Sequence, residues 1–176
     1  MTKYIYISKL DAAKRELEMA IRLFFSNSDM VAVYSLAAAA HEILRGLCTK
    51  QKIKSFIKDT MVSMIKKEKQ GEYWKMITRA QNFFKHAEKD HDQLLKFYLE
   101  PTEYFLWDAC GMYQTLTKES PPLIQVFNMW FYLKNPRVVQ NEKIKNLLNE
   151  FRLNLDPENR PQFLELLLPL ATKIKN

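Results

Sequence analysis

Polar side chains recur at spacings of three and four in the stretch RAQNFFKHAEKD. These spacings predict one continuous polar face on an α-helix, formed by Lys75, Arg79, Asn82, His86 and Asp90. The neutral imidazole of His86 can take the proton from a ribose 2′-hydroxyl, and the guanidinium of Arg79 can hold phosphate oxygens bidentately. The face therefore has the chemistry to bind an RNA phosphodiester, and to cleave it without a metal ion.

Three neighbouring side chains would complete such a site. The amide of Asn82 can orient either reacting group, Lys85 can contact a flanking phosphate, and Asp90 can accept a ring N–H of the histidine and fix its tautomer. A row of charged residues beside an apolar face is also typical of any amphipathic surface helix. In that alternative the arginine pairs with a surface carboxylate and the amide is solvated.

The basic residues are concentrated in one part of the chain. The segment from Arg45 to Lys89 has 12 basic and 4 acidic residues, a net charge of +8, whereas the whole chain has +7. A concentrated basic surface attracts phosphate polyanions because binding releases their counterions. RNA or a nucleotide is therefore the first ligand to expect, and a solvated, lysine-rich surface is the alternative.

Apolar residues follow the helical period along nearly the whole chain. Three glycines in 176 residues and almost no alternation of period two argue against hairpins and sheets. We expect a single all-α domain over residues 1–176, built as an up-and-down helical bundle with additional C-terminal helices. Its centre is the apolar helix MVAVYSLAAAAHEILRGL, in which Ala37 and Ala38 permit close helix packing.

Capping residues and helix breakers predict where individual helices begin and end. Ser8, with an acidic residue three positions later, forms a capping box for the first helix, and Ser28 or Asp29 caps the second. A third helix ends in the run KKEKQG, where Gly71 can adopt a left-handed turn. The polar face then lies on a fourth helix, from about Tyr73 to Lys89.

Two polar residues, His41 and Glu42, interrupt the central apolar helix. A polar group among buried positions needs a hydrogen-bond partner. The two side chains either face the polar row around Arg79, as further binding residues, or mark the end of the buried part of the helix.

Motifs for metal or cofactor chemistry are incomplete or missing. The spacing of Glu88 and His91 matches half of the carboxylate and histidine pattern of di-metal helical bundles, but the second copy of that pattern is absent. The sequence also has no phosphate-binding loop, no dinucleotide fingerprint and no nucleophile elbow. We expect no metal ion and no cofactor.

The order of the helices, together with the spacing from Arg79 to His86, is similar to that of the HEPN superfamily of prokaryotic nucleases and nucleotide-binding domains. The resemblance implies a HEPN-like bundle over residues 8–118, followed by a C-terminal helical extension over residues 119–176. It also implies a metal-independent RNase in which Arg79 and His86 match the family's arginine and histidine, often paired across a homodimer. The string NFFKHAEKD also resembles a signature of uncharacterised bacterial proteins, which implies no activity.

The remaining features concern location and partners. Cys48 and Cys110 lie in apolar helical patterns without metal-ligand spacing, which is typical of core thiols in a reducing cytoplasm. The N-terminus lacks a signal-peptide pattern, and the longest uncharged run, 120–133, is too short to span a bilayer. We therefore expect a cytoplasmic protein that does not bind a membrane. Five consecutive apolar residues, 129–133, predict a contact with a second copy or with an antitoxin-like protein partner.

Three hypotheses for the function follow from these observations. Our main hypothesis is a non-catalytic, HEPN-like helical module that binds nucleic acid, a nucleotide or a protein partner. The alternative is a metal-independent endoribonuclease, the toxin or defence component of a pair, with Arg79, His86 and Asn82 as its catalytic residues. The second alternative is a metal-dependent helical-bundle enzyme.

Overall fold

The first two helices begin at side-chain caps in a computed structural model, which describes residues 2–88 and 90–173. The hydroxyl of Ser8 accepts a 3.0 Å hydrogen bond from the backbone N–H of Asp11, whose carboxylate in turn accepts from Ser8, so the predicted capping box is confirmed. Asp29 caps the second helix by accepting from the backbone N–H groups of Val31 and Ala32, at 2.9 and 3.0 Å. Each cap satisfies N–H groups that have no partner inside the helix.

The described residues form an all-α helical bundle without strands, as the sequence predicts. A π-helical turn, Phe56–Thr60, directly precedes the short third helix, and a 3-10 turn, Pro136–Val138, follows the sixth. The helices of the described chain, in order, are α1 Lys9–Phe25, α2 Met30–Thr49, α3 Met61–Met64, α4 Lys67–Lys85, α5 Glu100–Thr117, α6 Pro122–Lys134, α7 Glu142–Arg152 and α8 Arg160–Lys173.

The main core lies between α1, α2, α5 and α6 and reaches into α8. Phe24 on α1 lies edge-on to Trp130 on α6, with ring centroids 4.7 Å apart, and Phe25 stacks on Phe163 of α8 at 6.0 Å. Aromatic contacts of this kind add to the stabilisation from apolar burial. The C-terminal helices therefore share one core with the N-terminal bundle.

The central helix α2 is the helix in the described part of the chain that has the length and composition of a membrane span. Its most apolar window of 18 residues has a mean hydropathy of 1.2, and 44% of that window is buried inside the structure. The helix packs against α1 on one side and α5 on the other. Ala37 and Ala38 are both buried in these contacts.

A second, smaller apolar cluster attaches α4 to the bundle. Its buried part consists of Tyr34 and Ala38 of α2, Ile57 of the π-helical turn and Phe105 of α5. Ile77 and Phe84 of α4 pack against it from outside. Most of the surface of α4 remains exposed, so this helix is held by one narrow face.

Two predicted boundaries around α4 are wrong. Gly71 does not end a helix, because it lies inside α4 and no described glycine has a positive φ angle. The amide of Gln70 donates to the carbonyl oxygens of Val62 and Ile65, both at 3.1 Å. These tertiary hydrogen bonds hold the first turns of α4 on the preceding segment and outweigh the helix-breaking tendency of glycine, which costs about 1 kcal/mol.

The C-terminal end of α4 also differs from the prediction. The helix ends at Lys85, and His86 follows it with an extended backbone, φ −131° and ψ 124°. The chain turns here because Phe84 lies edge-on to Phe97, at 5.2 Å between ring centroids, so the following segment returns along the helix. The predicted end at Lys89 falls outside the described residues.

Candidate functional site

Three side chains of the predicted face and the neighbouring Lys85 lie on the exposed surface of α4. Lys75, Arg79, Asn82 and Lys85 all belong to this helix and are exposed. Within residues 2–88 and 90–173, none of the three basic side chains forms an ion pair. We call these four residues the α4 polar row. Its cations are available to an external anion.

The other two predicted members lie outside this row. His86 follows the end of α4 and is 65% exposed, with its Nδ1 atom 4.0 Å from the Oε2 atom of Glu88 rather than close to Asp90. Asp90 lies in the turn that follows and is half-buried. Arg79 and Asn82 therefore share a helical face, but the histidine that the nuclease alternative needs as a base does not lie on it.

A cavity of about 310 Å³ opens beside the row, between α4 and the returning segment. Lys75 and Arg79 supply cations, Asn82 and Gln93 supply amides, and Phe83 supplies an aromatic ring to its lining. Asp90, Thr78 and two leucines complete the lining. Cations suit a phosphate, amides suit the edge of a base, and an aromatic face suits base stacking.

A second polar cluster, around Asp108, is buried between α2, α5 and the π-helical turn. The carboxylate of Asp108 accepts hydrogen bonds from the Ser55 hydroxyl at 2.6 Å and from Nε2–H of His41 at 2.8 Å. It also accepts from the backbone N–H groups of Phe56 at 2.8 Å and Ile57 at 3.1 Å. A side chain of α5 thus caps the start of the π-helical turn.

The charge state of Asp108 is set by these donors. Burial alone disfavours the carboxylate and raises its pKa, but the hydrogen bond and attraction of His41 and the hydrogen bonds of Ser55 and Phe56 hold the pKa below its ordinary value. The carboxylate is therefore ionised over the neutral pH range.

Serine, histidine and aspartate are also the residue types of a hydrolase triad, but their arrangement here differs from one. Ser55 and His41 are fully buried, Asp108 is 5% exposed, and both partners donate to the same oxygen of Asp108. In a triad the serine donates to the histidine, and the serine faces the substrate. The Asp108 cluster therefore links α2, α5 and the π-helical turn in an arrangement that differs from a triad.

Glu42 does not face Arg79 either, but joins α2 to α4 through a buried lysine. The ammonium group of Lys58, in the π-helical turn, donates to the carboxylate of Glu42 and, at 3.0 Å, to the amide oxygen of Gln81 on α4. Burial lowers the pKa of Lys58, and it also disfavours the charge on Glu42, whose pKa the lysine nevertheless holds below its ordinary value. Of the two predictions for His41 and Glu42, the contact with the Arg79 row is wrong, because buried His41 is paired with Asp108 and half-buried Glu42 is paired with Lys58.

Arg45 and Asp59 form a further pair at the edge of this region. The guanidinium of Arg45 donates two hydrogen bonds to Oδ1 of Asp59, at 2.7 and 3.1 Å, and lies over the ring of Trp74, 5.3 Å from its centroid. Arg45 and Lys58 are thus paired internally. The excess positive charge of the segment is carried by the remaining lysines and by Arg79.

Sequence reasoning missed Asp108, Ser55 and Lys58. One signal was present for Asp108, because a single acidic residue in the apolar run EYFLWDACGMY must find a partner if the run is buried. The partners themselves lie 51 to 67 positions away along the chain. No local spacing connects them.

The described residues contain no group of three or more histidine, cysteine, aspartate or glutamate side chains arranged to hold a metal ion. Glu88 and His91 lie in the exposed segment after α4. The Nε2 atom of His91 is 2.8 Å from the Oδ2 atom of Asp92. The half pattern for a di-metal site is therefore not completed by any described neighbour.

Comparison with known proteins finds no match. No family model, curated protein or solved structure aligns with the chain. No function is therefore carried over from a relative, and the resemblance to the HEPN superfamily remains a hypothesis based on Arg79, His86 and the helix order.

Proposed function

We propose that this protein is a non-catalytic helical module that binds single-stranded RNA through α4. The observation that carries the proposal is the α4 polar row, whose three exposed cations form no ion pair with any described residue. Two of these cations, Lys75 and Arg79, border the cavity of about 310 Å³. Backbone phosphates would lie along Lys75, Arg79 and Lys85, since basic side chains neutralise phosphates and release counterions.

The lining of the cavity favours a single strand over a duplex. Phe83 is half-buried and presents a ring on which a base can stack, and Asn82 and Gln93 can hydrogen-bond to base edges. Bases are available for such contacts only when they are not paired with another strand. The resemblance to nucleotide-binding HEPN domains supports the same class of ligand.

Binding without cleavage is the better-supported form of this proposal. Arg79 and Asn82 share an exposed helical face, whereas His86 lies beyond the end of the helix, with its Nδ1 atom 4.0 Å from Oε2 of Glu88. A general base needs a fixed position within hydrogen-bond reach of the proton that it removes. The exposed histidine has no described partner that fixes its ring on the side of Arg79.

Fluorescence anisotropy with a labelled, unstructured RNA tests the proposal. The variant R79A should bind more weakly, and the slope of log Kd against log salt should fall by about 0.7 for the loss of one phosphate contact. N82A should weaken binding with little change in slope, because an amide releases no counterion. H86A should behave like the wild type, because His86 lies beyond the end of α4 and outside the row.

Lys143→Ala serves as the matched control, because Lys143 is exposed on α7 and lies outside the polar row. It should keep wild-type affinity. If the wild type does not bind RNA, or if R79A and K143A weaken binding equally, the α4 polar row is not the interface.

Incubation with mixed RNA, with and without EDTA, separates binding from cleavage. We expect the RNA to remain intact. Metal-independent cleavage that is lost in both R79A and H86A would establish the nuclease alternative instead.

A further inference from the structure

A larger cavity of about 540 Å³ lies beside the polar one, between α4, the returning segment and the core, and differs from it in chemistry. Its floor consists of the buried rings of Tyr34 and Phe105, and its walls include Ile77 and Ala80 of α4 and Phe97 of the returning segment. Its size is within the range of small-molecule sites, roughly 300 to 1,000 Å³.

Aromatic contacts hold the outer wall of the cavity in place. Phe97 lies edge-on to Tyr34 at 5.3 Å and to Phe84 at 5.2 Å, while Tyr34 lies edge-on to Phe105 at 5.5 Å. The returning segment has no regular secondary structure here, so these ring contacts, rather than backbone hydrogen bonds, attach it to the bundle. A preformed cavity spares a ligand the cost of ordering the protein.

The charged residues of the lining are mainly basic and lie at the mouth of the cavity. Lys75, Arg79 and Lys96 are exposed, whereas the floor is buried, and Glu100 is the acidic residue among the lining side chains. Lys96 lies over the ring of Tyr98, with Nζ 5.1 Å from the centroid, and none of the three cations pairs with a carboxylate in the described ranges. The mouth is therefore complementary to an anion.

We propose that this cavity binds a small amphipathic carboxylate, with its apolar chain or ring against Tyr34 and Phe105 and its carboxylate among Lys75, Arg79 and Lys96. The apolar lining stabilises the body of the ligand by removing it from water. The cations at the mouth remain in contact with solvent, so the charged group keeps part of its hydration while it is paired. A long-chain cation of the same length is disfavoured by the positive charge at the mouth.

A nucleotide fits this cavity less well than it fits the polar one. Apart from the hydroxyl groups of Tyr34 and Tyr98, the apolar side chains of the lining offer no hydrogen-bonding group to the edge of a base. A site that recognises a base needs such groups, because a buried polar edge without partners is costly. The carboxylate proposal does not depend on RNA binding: Ala80 and Lys96 line this cavity alone, although Lys75 and Arg79 border both.

Isothermal titration of the full chain with octanoate, below the concentration at which it forms micelles, tests the proposal. Octanoate should bind, 1-octanol should bind more weakly, and octyltrimethylammonium should not bind. Ala80→Leu fills the cavity without changing the charge and should abolish octanoate binding. Ala32→Leu adds the same volume at an exposed position of α2 and should leave binding unchanged.

A charge variant keeps the test decisive if A80L fails to fold. Lys96→Gln should weaken octanoate binding about two- to fivefold, the range for one partly exposed ion pair, and should leave the affinity for 1-octanol unchanged. Lys143→Gln, on α7, should have no effect. Both A80L and K96Q should retain RNA affinity, so a failure here is distinct from a failure of the RNA proposal. Absence of octanoate binding to the wild type, equal binding to a folded A80L variant, or binding of AMP in place of octanoate would overturn the proposal.

Discussion

The hydroxyl of Ser55 donates a 2.6 Å hydrogen bond to Oδ2 of Asp108, a residue 53 positions further along the chain. Together with the backbone N–H groups of Phe56 and Ile57, this contact fixes the π-helical turn on α5. The π-helical turn also contains Lys58 and Asp59, which pair with Glu42 and Arg45 of α2. Asp108 therefore positions the segment that leads into α4.

Replacement of Asp108 by asparagine should destabilise the fold by roughly 2 to 5 kcal/mol, because buried donors lose the carboxylate that accepts from them. Urea denaturation measures the change. Asp156→Asn, at an exposed loop position, is the matched control and should change stability by less than about 0.5 kcal/mol. Equal stability of D108N and the wild type would contradict the structural role of the carboxylate.

The same variant should alter the dependence of stability on pH. The pKa of Asp108 is lower in the folded protein than its ordinary value of 3.8, so the unfolded chain takes up this proton first as the pH falls. The stabilisation by the carboxylate is complete above the unfolded pKa and is lost as the pH falls through the folded one. Urea midpoints measured between about pH 6 and pH 3 should fall less steeply for D108N. Identical slopes would show that Asp108 does not contribute.

Lys58→Met should loosen α4 from the bundle. The change leaves Glu42 and Gln81 without their shared donor, at a cost of about 1 to 3 kcal/mol. In K58M, hydrogen exchange of the α4 amides should be faster than in the wild type, because α4 is attached by one narrow face. Exchange of the α1 amides should change less. Lys67→Met, at an exposed position of α4, should leave the exchange unchanged. Unaltered protection of α4 in K58M would argue against this connection.

Gly71→Ala should stabilise the protein by about 0.5 to 1 kcal/mol. Gly71 lies inside α4 with an ordinary helical backbone, and a Cβ atom there meets no other atom within 4 Å. Thermal unfolding should therefore give a higher Tm. Gly111→Ala in α5, where a Cβ atom is equally unhindered, should act in the same direction. A lower Tm for G71A would support the left-handed turn that the sequence predicted.

Ala38→Leu should destabilise the core by roughly 1 to 3 kcal/mol through overpacking. Ala38 is 1% exposed and lies in the small cluster with Tyr34 and Phe105, which also forms the floor of the apolar cavity. Chemical denaturation measures the loss, and Ala32→Leu, at an exposed position, should cost little. An unchanged midpoint for A38L would mean that this face of α2 has room for a larger side chain.

Most of the fold follows from local patterns in the sequence. The helical period, the cap at Ser8 and the apolar composition of α2 are properties of neighbouring residues, so they predict the all-α class and the central helix. Predictions that depended on Gly71 and on the end of α4 were wrong. Glycine only disfavours a helix weakly, and hydrogen bonds from Gln70 and ring contacts of Phe84 decided both boundaries.

The sequence alone also determined which polar side chains share a face, because Lys75, Arg79 and Asn82 follow helical spacing on one element. Only the tertiary structure decided what surrounds them. The return of the segment along α4 forms one mainly apolar cavity and one polar cavity. The pairing of His41 with Asp108, across more than 50 positions, removes His41 from any surface site. Such contacts depend on how helices pack against each other, and no spacing within one helix encodes them.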